Sequence, residues 1–186
     1  MREIDGEDNE RCRIISFSSE EPYTRWFGKE ILSHEKDAVD LTRLNEIGVL
    51  LFNHQRNYVI GKIKRAWIEE NRGMAEVEFD DDEDAEKIFR KVSGGTLKGV
   101  SVGYQVNAWL EVKAGEKSPD GKYTGPCSIA ASWMPFEISI VSVPADATVG
   151  VDRSYGPSGS LDPKKEYMAL NLYEKQVESN RNLLRR

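Results

Sequence analysis

The chain has 186 residues, 39% hydrophobic and 31% charged, which suits one globular domain with a real core and some appended sequence. Its formal net charge of −6 argues against nucleic acid as the main partner, because neutralising phosphates takes clustered Lys and Arg. The polar start Met1-Arg2-Glu3-Ile4-Asp5 does not read as a secretory signal, and no apolar run reaches the ~18 residues of a membrane helix, so a cytosolic protein without membrane contact is expected.

Residues 11–17 read as a first strand, closed by a turn at Glu20-Glu21-Pro22. Cys12 lies in it, and the other cysteine, Cys127, is far away in sequence. Without C-x-x-C spacing the pair fits a reducing compartment, with a single disulfide as the alternative. A second strand is expected over 24–32, interrupted at Gly28, then a short turn or helical stretch over 39–45. Residues 48–54 (GVLLFNH) form a compact apolar run with polar residues at its end, as in a buried strand that surfaces there. Two β-rich runs, 58–69 and 74–79, joined by Glu70-Asn71-Arg72-Gly73, make the clearest hairpin. Over 80–91 acids at the front, Arg90 and Lys91 at the back and Gly94-Gly95 beyond predict a capped helix. The acidic run lacks the glycine and distal glutamate of a calcium loop, so no metal is expected.

Between 97 and 112 the pattern has period two. Val100, Val102, Tyr104, Val106, Ala108, Leu110 and Val112 fall on one side, and Gly99, Ser101, Gly103, Gln105 and Asn107 on the other. Ser101 therefore sits between two positions without Cβ, on a strand face cleared for close approach. Gly99-x-Ser101-x-Gly103 also fits the G-x-S-x-G elbow of α/β-hydrolases. That reading fails, because strand-like sequence continues past the serine and both histidines, His34 and His54, precede it. A turn-rich loop over 114–126 leads to another β-prone run, 128–143, ended by Pro144-Ala145-Asp146. Residues 154–163 have linker composition, with Asp162-Pro163 as a helix start. Residues 164–186 read as one amphipathic helix with Leu170, Tyr173, Val177 and Leu184 on its stripe.

A nucleophilic serine needs a base and a group that orients the base. His54, at the end of an apolar strand, is the better base, since His34 has a solvated-looking context among Ser33, Glu35 and Lys36. Glu137 is the one acid inside the apolar run 133–143, and a buried carboxylate there needs a donor such as a histidine N–H. Taken singly, each of the three also fits a structural role: a small strand residue, a satisfied strand-end histidine, an outward glutamate. Ser93, Ser132, Ser139 and Ser142 lack the cleared face and are weaker nucleophile candidates.

Leu51-Phe52-Asn53-His54, then Leu97 through Tyr104 (LKGVSVGY), then Phe136 through Ala145 (FEISIVSVPA) resemble, in this order, the tailed-phage prohead proteases. That family is related in fold to the herpesvirus assemblins, and the resemblance spans roughly residues 10–153. It implies a mainly β protein with flanking helices (α+β), built as a closed antiparallel β-barrel of assemblin type. The expected organisation is a protease domain over 1–153, a linker over 154–163 and a C-terminal helix over 164–186. It implies a serine endopeptidase, with no cofactor, acting in the host cytoplasm within the procapsid. Its substrates would be the major capsid protein, scaffold and the enzyme itself, and a homo-oligomer is compatible with it. Matched to the family's motifs, His54 is the catalytic histidine, Ser101 the nucleophile and Glu137 the third member, a place taken in assemblins by a second histidine. Assemblins carry basic residues near the oxyanion, where this chain offers Arg153, with backbone N–H groups near Ser101 or in the following loop as the substitutes. The alternatives are a non-enzymatic β-barrel module of capsid or scaffold assembly, and a small esterase. The C-terminal helix would dock on scaffold or coat protein.

Overall fold

A computed structural model describes residues 10–26, 28–146 and 148–151. The linker and C-terminal helix expected over 154–186, and Arg153, lie outside the described residues. In chain order the elements are β1 (Cys12–Ser19), β2 (Tyr23–Arg25), β3 (Gly28–Leu32), α1 (Thr42–Ile47), β4 (Val49–Phe52), β5 (Gln55–Glu69) and β6 (Arg72–Phe79). They continue with α2 (Glu83–Ser93), β7 (Gly99–Val112), β8 (Cys127–Val141) and β9 (Gly150–Val151). Cys12 and Cys127 are free thiols.

The expected strands form, and the capped helix forms as α2. Asp82 caps it by accepting from the Asp84 and Ala85 N–H groups at 3.0 and 3.1 Å. Gly95, with φ +71°, takes the left-handed step beyond its end. Its buried residues Ala85, Ile88 and Val92 fall on one stripe that faces β5 and β6. The hairpin expected between 58 and 79 turns more tightly than its sequence suggests. Glu69 pairs with Arg72, and Glu70 and Asn71 alone make the turn, both at positive φ.

The closed antiparallel barrel does not form; the sheet is open and mixed. Its path runs β2-β3-β8-β4-β5-β6-β1-β9, and β7 joins off that path by pairing with β8. Closure requires an unbroken ladder around the ring. Here β9 contributes two residues, paired with β1, and reaches the segment before β7 through one backbone bond, Val151 N–H to the Lys98 carbonyl at 3.2 Å. Nor is the sheet antiparallel throughout, because β3 and β4 both run parallel to β8, along residues 128–130 and 138–140. The long strand β8 is therefore the spine of the site, with β7 paired along 127–141 and β4 along its C-terminal half.

Alternation along these strands sends one set of side chains into the core and the other to the site. Val100, Ile138 and Ile140 are fully buried in the main core with Leu50, Phe17 and Trp133, and Val102, Tyr104 and Val106 pack against it. Ser101, Gly103, Glu137 and Ser139 belong to the opposite set, paired as Ser101 with Ser139 and Gly103 with Glu137.

Candidate active site

His54 does not continue strand β4. Phe52 pairs with Gln55, so Asn53 and His54 are the two central residues of a hairpin turn, with φ +50° and +59°. Positive φ at both positions is the type I′ pattern, which matches the strand twist and favours Asn-Gly. Asparagine suits the first position; histidine at the second is strained. The turn is held to the end of β8 and the residue just beyond it, by Asn53 N–H to the Ile140 carbonyl at 2.9 Å and Ser142 N–H to Asn53 Oδ1 at 3.1 Å. Strict alternation would put His54 with Leu50 and Phe52; the left-handed turn instead carries its imidazole to the face of Ser101 and Glu137.

There His54 Nε2 lies 2.9 Å from Ser101 Oγ and Nδ1 lies 2.6 Å from Glu137 Oε1. An ionised carboxylate only accepts, so Nδ1 carries the proton and Nε2 accepts the Ser101 hydroxyl. Glu137 is 8% exposed, and its other oxygen accepts from Ser139 Oγ at 2.7 Å, so both carboxylate oxygens have donors. The imidazole stays 45% exposed, open to an incoming ligand. The structure thus brings together Ser101 from β7, His54 from the β4–β5 turn and Glu137 from β8.

The glycines that flank Ser101 clear space for the protein's own atoms. A Cβ at Gly103 would stand 2.3 Å from Glu137 Oε1 and 2.8 Å from Phe136 Cε2, and one at Gly99 would stand 2.6 Å from the Val141 carbonyl oxygen. The missing side chain at 103 is what admits the carboxylate beside the serine strand.

Ser101 and His54 line a cavity of about 230 Å³. Phe17, Leu32, Val100, Val102 and Val149 supply apolar wall. Arg25, Glu30 and Tyr104 supply a polar end, where Arg25 Nε donates to Glu30 at 3.1 Å, Arg25 Nη2 donates to the Tyr104 hydroxyl at 2.8 Å, and that hydroxyl donates to Glu30. Burial and the adjacent carboxylate push the Tyr104 phenol above its usual range, keeping it neutral. No sequence pattern announced this trio, because its members come from three strands.

His34 is a correction. It is 5% exposed rather than solvated, and burial pushes its pKa down to about 4, so it is neutral near pH 7. Its Nδ1–H donates to the Leu32 carbonyl at 3.0 Å and its Nε2 accepts from Ser18 Oγ at 2.8 Å. This second serine–histidine pair has no carboxylate on the ring, and Ser18 is 3% exposed. It braces the wall behind the cavity.

The turn strain gives a testable consequence. His54→Gly should be more stable than His54→Ala by about 1 kcal/mol, because both lose the imidazole and only glycine takes positive φ without strain. Chemical denaturation of the two variants measures it; an alanine variant as stable as the glycine one would remove the strained turn from this account.

A hydroxyl, an imidazole and a carboxylate in one hydrogen-bonded line, open to a cavity, form the constellation used in serine hydrolysis. Over residues 14–157 the chain matches the family described as Caudovirus prohead serine protease, and it belongs to that family. It is also 38% identical over 144 residues to a protein named major capsid protein from Halomonas phage phiHAP-1. The match takes in 75% of this chain and 23% of that protein, so the chain spans less than a quarter of its relative's length. No solved structure matches the chain significantly.

Proposed function

We propose that this chain is a serine endopeptidase of phage head maturation in which Ser101 is the nucleophile, His54 the general base and acid, and Glu137 the group that orients the imidazole. The observation that carries the reading is the unbroken Ser101–His54–Glu137 line at the mouth of a cavity. Ser101 Oγ attacks the scissile carbonyl as its proton passes to His54 Nε2. The imidazolium, held through Nδ1–H by Glu137, then returns that proton to the leaving amine. Water, deprotonated by the same nitrogen, hydrolyses the acyl-enzyme and restores Ser101. Oxyanion donors are assigned to backbone N–H groups beside Ser101 or in the 142–146 loop, whose Ala145 and Asp146 line the cavity.

Family membership, and likeness to a segment of a capsid protein, support capsid proteins as partners; the proposal takes capsid and scaffold chains, and the enzyme itself, as the substrates. They also support a place inside the procapsid in the host cytoplasm.

A fluorophosphonate tests the chemistry without a known substrate. Ser101 Oγ should bond to phosphorus as fluoride leaves and the hydroxyl proton goes to His54, adding the phosphonyl mass to the peptide that contains Ser101. Mass spectrometry that finds no adduct on the folded protein would favour the non-enzymatic capsid-assembly role instead.

A further inference from the structure

We infer that Ser139 is a positioning residue for the His54–Glu137 pair, an assignment that rests on the catalytic reading above. Its side chain is fully buried, so it is no nucleophile, yet its hydroxyl touches both partners. Ser139 Oγ accepts the backbone N–H of His54 at 3.1 Å and donates to Glu137 Oε2 at 2.7 Å. Glu137 Oε1 accepts from His54 Nδ1 at 2.6 Å. The three bonds form a ring that runs from the main chain of His54, through Ser139 and the carboxylate, back to the ring of the same histidine.

Each link restrains something that is otherwise soft. The last torsion of a glutamate is broad and roughly two-fold, so a carboxylate held at one oxygen can swivel; Ser139 fixes the second. His54 sits at φ +59° in a strained turn, and its N–H is tied to the same hydroxyl that orients the carboxylate. Asn53 also anchors the turn at the end of β8, but only through backbone groups of Ile140 and Ser142. Ser139 alone among these anchors also contacts the carboxylate. The spacing has a simple origin, since Glu137 and Ser139 are two apart on one strand and share a face, and Ser139 is paired across the ladder with Ser101.

The test uses the full chain and a fluorophosphonate probe. Ser139→Ala removes both contacts, and Ser139→Cys puts a larger sulfur, a much weaker donor and acceptor, in place of the hydroxyl oxygen. Both should lower the maximal phosphonylation rate of Ser101 by about 10–100-fold, with the probe concentration for half-maximal rate within about twofold of wild type. In the folded cysteine variant, the downfield proton resonance of the His54 Nδ1–H should broaden through solvent exchange, a change that a packing role would not produce. If the alanine variant does not fold, the cysteine variant carries the test. A cysteine variant with the wild-type rate and an unchanged resonance overturns the role of Ser139 while leaving the catalytic reading intact. A wild-type protein that takes no label overturns both.

Discussion

Ser101→Ala is expected to lower peptide-bond cleavage by about 10⁴–10⁶-fold while leaving the fold intact. In the proposed mechanism the Ser101 oxygen is the atom that forms the acyl-enzyme, and neither Ser139 nor Ser18 can replace it. Ser139, directly across the ladder, is fully buried and committed to Glu137, and Ser18 is buried against His34. Stability should change by less than about 1 kcal/mol, because Ser101 is partly exposed and its bond to an exposed imidazole is readily exchanged for water. His54→Ala should cost about as much activity, and the Ser101→Ala, His54→Ala double variant little more than either alone. Groups that act as one unit lose their function together. Cleavage of co-expressed capsid protein, followed by intact-mass measurement, tests this. Processing that persists in Ser101→Ala would remove the serine from the mechanism.

Gly103→Ala is expected to lower activity by about 10²-fold or more without replacing any of the three side chains of the proposed triad. The added methyl would stand 2.3 Å from Glu137 Oε1, 2.9 Å from its Cδ and 2.8 Å from Phe136 Cε2. Something must move, and the carboxylate cannot move alone, since it is tied to His54 Nδ1 and to Ser139 Oγ. A displacement of about 1 Å in such a line costs on the order of 10²-fold in rate. Overpacking at the site should also cost about 1–3 kcal/mol in stability. A double-mutant cycle separates this route from a general packing defect. In a Glu137→Ala background the clashing carboxylate is gone, so Gly103→Ala should lower activity little further. Equal fold-losses in both backgrounds would show that Gly103 acts through something other than Glu137.

Much of the local structure was legible because it is written in short-range pattern. The period-two run through Val100, Val102, Tyr104 and Val106 does face the core, and Asp82, Arg90, Lys91 and Gly95 do begin and end a helix. The three candidate side chains could be named as well, each by its own context and together by resemblance. Gly103, read from the sequence as clearing its strand face for a close approach, does so for the protein's own Glu137 carboxylate. The burial of His34 is not legible in its sequence context, because polar neighbours along the chain do not report what packs over a residue; Trp133, from β8, lies edge-on against its ring. The place of Ser139 two residues after Glu137 is the one sequence sign that it shares the carboxylate's face.

The amino-acid order by itself determined where strands and the helix form and which side of each strand is apolar, while the three side chains proposed for acyl transfer were singled out together by resemblance. The strands, the helix and the apolar faces depend on neighbours within a few positions, where periodicity and capping act. Tertiary structure alone decided that the sheet stays open around β8, with parallel partners on it, instead of closing. It also decided that a left-handed turn swings His54 off the apolar face, and that Ser139 joins the histidine to the glutamate. Strand pairing and turn geometry join segments far apart along the chain, and no local pattern encodes which edges will meet.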